Sequence, residues 1–160
     1  MKYIGAFILI AAALLVSREY SRYVKKHAEQ CEEFLSFIGY MRIQISCFLR
    51  PSREIARGFH GVELERIGFL SAVNEGESLY TAYKAAEDKL YLTEREREIL
   101  ETLFSSLPEC YLDDGIRIID SAYKEMEGVC RKIREERPKN VKLAATLSVT
   151  ASIGFIILIL

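Results

Sequence analysis

The apolar and polar positions of the chain follow a helical period and predict two long helices. In the first helix, apolar residues recur at alternating steps of three and four, the spacing of one face of an α-helix. We call these positions the first stripe: Cys31, Phe34, Ile38, Met41, Ile45 and Phe48. Arg50 and Pro51 are expected to end this helix, because the residue before a proline disfavours helical geometry.

A second stripe with the same spacing lies in the C-terminal third of the chain. Its positions are Ile116, Ile119, Tyr123, Met126, Cys130 and Ile133. Asp113 and Asp114 are expected to begin this helix, because carboxylates favour the positive N-terminal end of a helix. Two long helices with matching apolar stripes are expected to pack as an antiparallel pair.

Shorter helices are predicted between the two long ones. The first begins at Pro51, which suits the first turn of a helix, and it carries Ile55, Ala56 and Phe59. The next two are residues 62–73 and 78–90, separated by a break at Asn74-Glu75-Gly76.

A fourth short helix is predicted to begin after Thr93 and to end at Pro108. Thr93 and Glu96 form a capping-box signature, in which each side chain accepts a hydrogen bond from the other residue's backbone amide. No segment shows the period-two alternation of a strand. We therefore predict an all-α fold, with a cytoplasmic helical bundle of about six helices.

Both ends of the chain are apolar. Residues 143–160 carry no charge and would form a helix roughly 27 Å long, close to a ~30 Å hydrocarbon core. Residues 3–16 would form a helix of about 21 Å, which is short for a span. A cleaved signal peptide is the alternative for this segment, because Ala11-Ala12-Ala13 offers small residues for cleavage.

Basic residues follow the first apolar segment and precede the second. The first basic stretch contains Arg18, Arg22, Lys25 and Lys26, and the second contains Arg131, Lys132, Arg134, Arg137, Lys139 and Lys142. Basic loops remain in the cytoplasm. The sequence therefore predicts a two-pass protein of the cell membrane, with transmembrane helices at 1–17 and 143–160 and a cytoplasmic domain at 18–142.

The charge and the cysteines limit the partners and the redox state. The 22 basic and 23 acidic residues give a net charge of −1, whereas nucleic-acid binding needs a basic face. We therefore expect no nucleic-acid partner. The four cysteines show no C-x-x-C spacing and are expected to be reduced thiols rather than a disulfide framework: Cys31, Cys47, Cys110 and Cys130.

The sequence contains no phosphate-binding loop, no G-x-S-x-G and no His/Cys cluster with metal spacing. His27 and Cys31 stand at i and i+4 and can place two metal ligands on one helical face, but a surface histidine beside a core cysteine is the favoured interpretation. His60 is expected to cover a turn rather than to act as a base. We therefore predict a protein that is not an enzyme and has no cofactor or metal.

Small residues recur every four positions in the tail and favour close helix packing in a membrane. Ala144, Ser148 and Ser152 follow this spacing, and so do Thr146, Thr150 and Gly154. The packing positions predicted from them are Ala144, Ser148, Ser152 and Gly154. A simple anchor is the alternative, because small residues are common in membrane helices.

The order of these features resembles the stage III sporulation protein AB family over essentially the whole chain. The matching segments are Pro51-Ser52-Arg53-Glu54-Ile55-Ala56, residues 79–83, Leu92-Thr93-Glu94 leading into Glu98-Ile99-Leu100, and residues 139–160. Within residues 79–83, Ala82-Tyr83 stands in place of the family's Ala-Trp. The chain departs from the family at Pro108 and Gly115, where a Leu-Gly turn and a glutamine are usual.

The resemblance implies a non-enzymatic scaffold. The family's cytoplasmic domain is similar to the F-type platform proteins of type II secretion and type IV pili, which couple a hexameric ATPase to a membrane assembly. The implied partners are the AA-type ATPase of stage III sporulation, other membrane subunits of the same complex and the lipid bilayer. The implied location is the mother-cell side of the forespore membrane, and self-association into a homo-oligomer stays open.

The partner-binding surface is expected on the charged short helices, at Arg53, Arg57, Arg95 and Arg97. This expectation rests on charge and position. A membrane-anchored helical adaptor or signalling module unrelated to secretion is the alternative function.

Overall fold

The computed structural model describes the backbone of residues 2–48, 58–107 and 112–159. Side chains are described in these ranges except at residues 2–10, 13, 47–48, 112–113, 140–141, 144–145, 147–149, 151–153 and 155–159. The helix predicted after Pro51 falls largely outside the described residues.

The described residues form α-helices and one short 3-10 helix, Glu87–Lys89, and contain no strand. The α-helices are α1 (Lys2–Phe48), α2 (Val62–Arg66), α3 (Phe69–Asn74), α4 (Leu79–Ala86), α5 (Glu94–Ser106) and α6 (Leu112–Ile159). The all-α prediction is confirmed.

The two long helices pack in antiparallel fashion through the predicted stripes. Cys31 of α1 is joined to Cys130 of α6, and further along α1 the Nε atom of Arg42 lies 2.5 Å from Asp120 Oδ1. Residue numbers thus rise along one helix as they fall along the other. The stripe residues that are buried are Cys31, Phe34, Ile38, Met41, Ile119, Met126 and Cys130.

An aromatic cluster fills the core between α1 and the short helices. The Phe69 ring centroid lies 5.7 Å from that of Phe34, 5.5 Å from that of Phe37 and 5.6 Å from that of Phe104. Phe34 and Phe37 meet Phe69 edge to face, an arrangement that aromatic quadrupoles favour. This cluster fixes the positions of α3 and α5 against α1.

The predicted helix at residues 62–73 is wrong in one respect, because it is two helices. Gly68 has φ +90°, a left-handed conformation that glycine adopts without steric cost, and it separates α2 from α3. The segment predicted at 78–90 is helical to Ala86 and continues as the 3-10 helix. The capping box of Thr93 and Glu96 is present and starts α5.

Contacts along the chain define two compact units. The terminal unit comprises residues 1–26 and 133–160, and the central unit comprises residues 27–132. Within the described residues, no helix combines the length and the apolar character needed to cross a membrane. The predicted transmembrane helices at 1–17 and 143–160 therefore have no support from the structure.

Candidate partner-binding surface

Three polar residues of α1 connect this helix to the short helices of the central unit. They are His27, Gln30 and Glu33, spaced three residues apart beside the first stripe. We call them the polar stripe. Each of its members makes hydrogen bonds to a different part of residues 63–96.

His27 binds the buried carboxylate of Glu96. Its Nε2 atom lies 2.8 Å from Oε1 and 2.9 Å from Oε2 of that carboxylate, which is fully buried. The backbone N–H and the hydroxyl of Thr93 also donate to Glu96 Oε2, at 2.5 Å and 2.9 Å. A buried carboxylate is costly unless its oxygens are paired, so these contacts both stabilise Glu96 and attach α1 to the start of α5.

Gln30 fixes the loop between α4 and α5. Its side chain is fully buried, its Oε1 accepts a hydrogen bond from the Tyr91 N–H at 2.7 Å, and its Nε2 donates to the Lys89 carbonyl at 3.2 Å. One amide side chain thereby satisfies two backbone groups that the loop leaves unpaired.

Glu33 caps α2 from a distance. Its carboxylate accepts hydrogen bonds from the N–H groups of Glu63, at 2.9 Å, and Leu64, at 2.8 Å. The first N–H groups of a helix have no partner within it, and a negative charge there also complements the helix dipole. Gly61 leaves room for this contact, because a Cβ atom at that position would lie 2.7 Å from Glu33 Oε2.

The two described arginines of the predicted surface have different surroundings. Arg97 donates to the Leu92 carbonyl at 3.1 Å and to the Leu90 carbonyl at 3.0 Å, so its guanidinium braces the loop before α5. Arg95 is 64% exposed and pairs with Glu125 of α6 at 2.6 Å. Arg53 and Arg57 lie outside the described residues.

A groove with a cavity volume of about 540 Å³ lies between α5 and α6. Arg95, Glu98 and Glu125 contribute charge to it. Its apolar lining comes from Ile99, Leu103, Ile118 and Ala122. A mixed lining of this kind is typical of surfaces that bind an amphipathic helix.

A second groove, of about 490 Å³, lies along another side of α5. Its charged lining is Glu87, Glu94, Glu98, Glu101 and Arg97. Glu98 lines both grooves. Four carboxylates and one guanidinium line this groove, so its surplus charge is negative.

Lys84 and Tyr83 of α4 lie beside the acidic residues of this surface. The Lys84 Nζ atom is 3.0 Å from Glu101 and 3.3 Å from Glu87, and its hydrogen bond with Glu101 raises the pKa of the ammonium. Burial, with a contribution from Glu87, raises the pKa of Tyr83 to about 12. The Tyr83 hydroxyl donates to the Arg97 carbonyl at 3.4 Å.

The cysteine prediction is wrong for one pair. Cys31 and Cys130 form a disulfide with a Cα–Cα distance of 6.1 Å, across 99 residues of sequence. Both occupy stripe positions on antiparallel helices, which brings them together, and their spacing along the chain does not reveal this register. The side chain of Cys47 and all of Cys110 lie outside the described set.

The remaining candidate residues from the sequence are His60 and the small residues of the tail. His60 is largely exposed, with Nδ1 3.8 Å from Glu65 Oε1. A Cβ atom added at Gly154 would meet no described atom within 4 Å. The side chains of Ala144, Ser148 and Ser152 are outside the described set. Among the residues that are described, no group of three or more His, Cys, Asp or Glu is arranged to hold a metal ion.

The described residues form an all-helical protein in which Gln30 and Glu96, both buried, join α1 to the loop before α5 and to the start of α5. The family model for stage III sporulation protein AB matches residues 2–160. The chain therefore belongs to the stage III sporulation protein AB family, as the resemblance predicted. Neither the curated proteins nor the solved structures gave a significant match to the chain.

Proposed function

We propose that this sporulation protein is a non-enzymatic platform subunit that couples a cytoplasmic AA-type ATPase to other membrane subunits of one complex. The observation that best supports this proposal is the set of hydrogen bonds between the polar stripe and the short helices. His27 and Glu33 of α1 form hydrogen bonds with α5 and α2, so α1 is directly attached to the short helices of the central unit. We expect the central unit to transmit a force applied at its surface, because these attachments are partly buried hydrogen bonds between its helices.

The two grooves beside α5 are the proposed ATPase contact. They combine apolar side chains with a surplus of carboxylates, and Glu98 lines both. Charged groups at the edge of an interface contribute to specificity and association rate. The partner segment is then an amphipathic helix or loop with basic residues.

The membrane part of the proposal is supported by the amino-acid sequence. Residues 143–160 carry no charge, residues 3–16 carry none, and basic residues lie on the inner side of both segments. This charge distribution favours a cell-membrane protein with residues 18–142 in the cytoplasm. The helices α1 and α6 each contribute residues to the central and to the terminal unit, so the same helices would enter the membrane.

The disulfide opposes the cytoplasmic part of this proposal. Disulfides persist in oxidising compartments and are rare in the cytoplasm. The bond between Cys31 and Cys130 and the basic residues beside the apolar ends thus favour different locations for the central unit. Trapping of the thiols inside cells decides between these two locations.

The proposal is tested by binding of the full-length chain, in detergent, to the AA-type ATPase of the same organism. Wild type is expected to bind, and Glu98→Arg to bind at least tenfold more weakly. Glu127→Arg is the matched control, because it reverses an exposed charge on α6 away from both grooves. Equal binding by all three proteins removes the assigned surface, and no binding by wild type leaves the adaptor function in place of the platform.

A further inference from the structure

The net charge of the chain is close to zero, but its two units carry net charges of opposite sign. The terminal unit contains nine basic and three acidic residues, a net charge of +6. The central unit contains thirteen basic and twenty acidic residues, a net charge of −7. The structure thus places the first basic stretch and most of the second in one compact unit.

The same unit holds most of the exposed apolar side chains. Of the eight large hydrophobic side chains that are exposed among the described residues, six belong to the terminal unit: Leu14, Leu15, Val16, Tyr20, Tyr23 and Leu143. Leu15 is 62% exposed and Val16 68%. Adjacent apolar residues of this size on a folded surface mark an interaction site.

Exposed basic residues stand next to these apolar ones on both helices. On α1, Arg18 follows Val16 by two positions, and on α6, Lys142 directly precedes Leu143. Arg18, Lys139 and Lys142 are exposed. Arg22 is also exposed and pairs with Glu19, three residues away, at 3.0 Å, a surface pair that a phosphate can displace at little cost.

We infer that the terminal unit is a binding surface for anionic phospholipid headgroups. The lipid phosphates contact Arg18 and Arg22 on α1 and Lys139 and Lys142 on α6. The acyl region covers the exposed aliphatic side chains Leu14, Leu15, Val16 and Leu143. Basic residues that border an apolar segment attract an anionic leaflet over about one Debye length. The inference rests on the proposed membrane location and adds a lipid class to it.

Nucleic acid is the other polyanion that a unit of charge +6 can attract. It offers no apolar phase for the side chains of Leu14, Leu15 and Val16, whereas a bilayer accommodates both the charges and the leucines. The tyrosines of the first basic stretch also suit the headgroup level, where aromatic residues with one polar end are enriched. A lipid surface therefore accounts for both the basic residues and the exposed apolar residues, whereas a nucleic-acid duplex accounts for the basic residues alone.

The test uses the full-length chain reconstituted into phosphatidylcholine bilayers. Trace spin-labelled phosphatidylglycerol or spin-labelled phosphatidylcholine is added, and the fraction of each label that the protein immobilises is measured. Wild type is expected to prefer the anionic label severalfold, and the preference is expected to fall as salt is raised from about 0.1 M to about 1 M. Soluble glycerol phosphate at millimolar concentration is expected not to compete.

Two double variants localise the effect. Arg18→Gln with Lys142→Gln is expected to lose at least half of the preference, whereas Arg117→Gln with Lys124→Gln, exposed residues of the central unit, is expected to retain it. Equal immobilisation of both labels by wild type overturns the inference, and so does equal loss in the two variants. Binding of a DNA duplex as tight as that of anionic vesicles overturns it as well.

Failure of the proposed membrane insertion has a separate readout. If alkaline carbonate releases the chain from the bilayers, the transmembrane part of the proposed function fails. The same lipids are then used as vesicles in a flotation assay. Flotation with vesicles that contain phosphatidylglycerol and not with pure phosphatidylcholine supports the headgroup surface; flotation with neither overturns it.

Discussion

The Nε2 atom of His27 lies 2.8 Å from a carboxylate oxygen of Glu96, 69 residues further along the chain. Glu96 is fully buried, and the same carboxylate caps the start of α5. One side chain therefore completes a local helix cap and a long-range helix contact at once. Together with the aromatic cluster around Phe104, this pair attaches α5, and the grooves beside it, to α1.

Replacing Glu96 with alanine is expected to destabilise the chain by about 2–4 kcal/mol, because it removes the cap and leaves His27 without its buried partner. Chemical denaturation followed by circular dichroism measures the free energy of unfolding. Glu98→Ala on the exposed side of α5 is the control, with an expected change within about 0.5 kcal/mol. Similar free energies for the two variants would show that the buried pair contributes nothing to the attachment of α5.

Gly61→Ala is expected to disturb the distant cap of α2. The new methyl group would lie 2.7 Å from Glu33 Oε2 and 2.9 Å from Phe59 Cε1, so the carboxylate must move away from the N–H groups that it binds. We expect a loss of about 1–2 kcal/mol in the free energy of unfolding. Gly128→Ala is the opposite case: no described atom lies within 4 Å of the added Cβ, and alanine in a helix gains up to about 1 kcal/mol. Stabilisation by both substitutions would contradict the assigned contact.

Alkaline pH is expected to reveal the burial of Tyr83. Its pKa rises from 10.0 in the unfolded chain to about 12 in the folded one, so the unfolded chain releases the phenolic proton first. The stability from this group is complete below pH 10 and falls by roughly 2 kcal/mol as the pH rises from 10 to 12. Tyr83→Phe removes this decrease. The quantity to compare is the difference in the free energy of unfolding between wild type and Tyr83→Phe at each pH. Lys84, whose pKa is also raised, titrates in both proteins, so its contribution cancels in this difference. If the difference in the free energy of unfolding stays constant with pH, the pKa of Tyr83 is not raised by burial in the folded chain.

The Cys31–Cys130 bond closes a long loop and is expected to stabilise the folded chain by about 2–4 kcal/mol. Reduction should therefore lower the denaturation midpoint of wild type and leave that of Cys31→Ala with Cys130→Ala unchanged. In cells, thiols are blocked with a maleimide in denaturant immediately after lysis, and the added mass is counted. Full labelling of wild type without reductant contradicts the bond. Protection of Cys31 and Cys130 contradicts a cytoplasmic central unit.

The helices and their packing were largely predictable. The two stripes, spaced by three and four, indicated both long helices and their pairing, and Thr93 with Glu96 indicated the start of α5. These features are local or periodic, so one sequence suffices to find them. The separation of α2 from α3 was missed because a single glycine, Gly68, within a helical pattern gives only a weak indication of a break.

The candidate surface was harder to predict. His27, Gln30 and Glu33 are polar and evenly spaced, which is also the pattern of a solvated helix face; only the fold shows that their partners lie 30 to 69 residues away. Arg97 was assigned to a partner from its charge, while in the structure it binds the carbonyls of Leu90 and Leu92. A charge on a helix does not reveal whether its partner is internal.

Site-specific photocrosslinking in sporulating cells tests the proposed contact between α5 and an ATPase. A photoreactive amino acid is placed at Thr102, which lines the groove between α5 and α6, and at Asn74, an exposed residue at the end of α3. We expect a crosslink from position 102 to the AA-type ATPase and none from position 74. If the chain supports sporulation but gives no ATPase crosslink from any position on α5, α5 is not the ATPase contact.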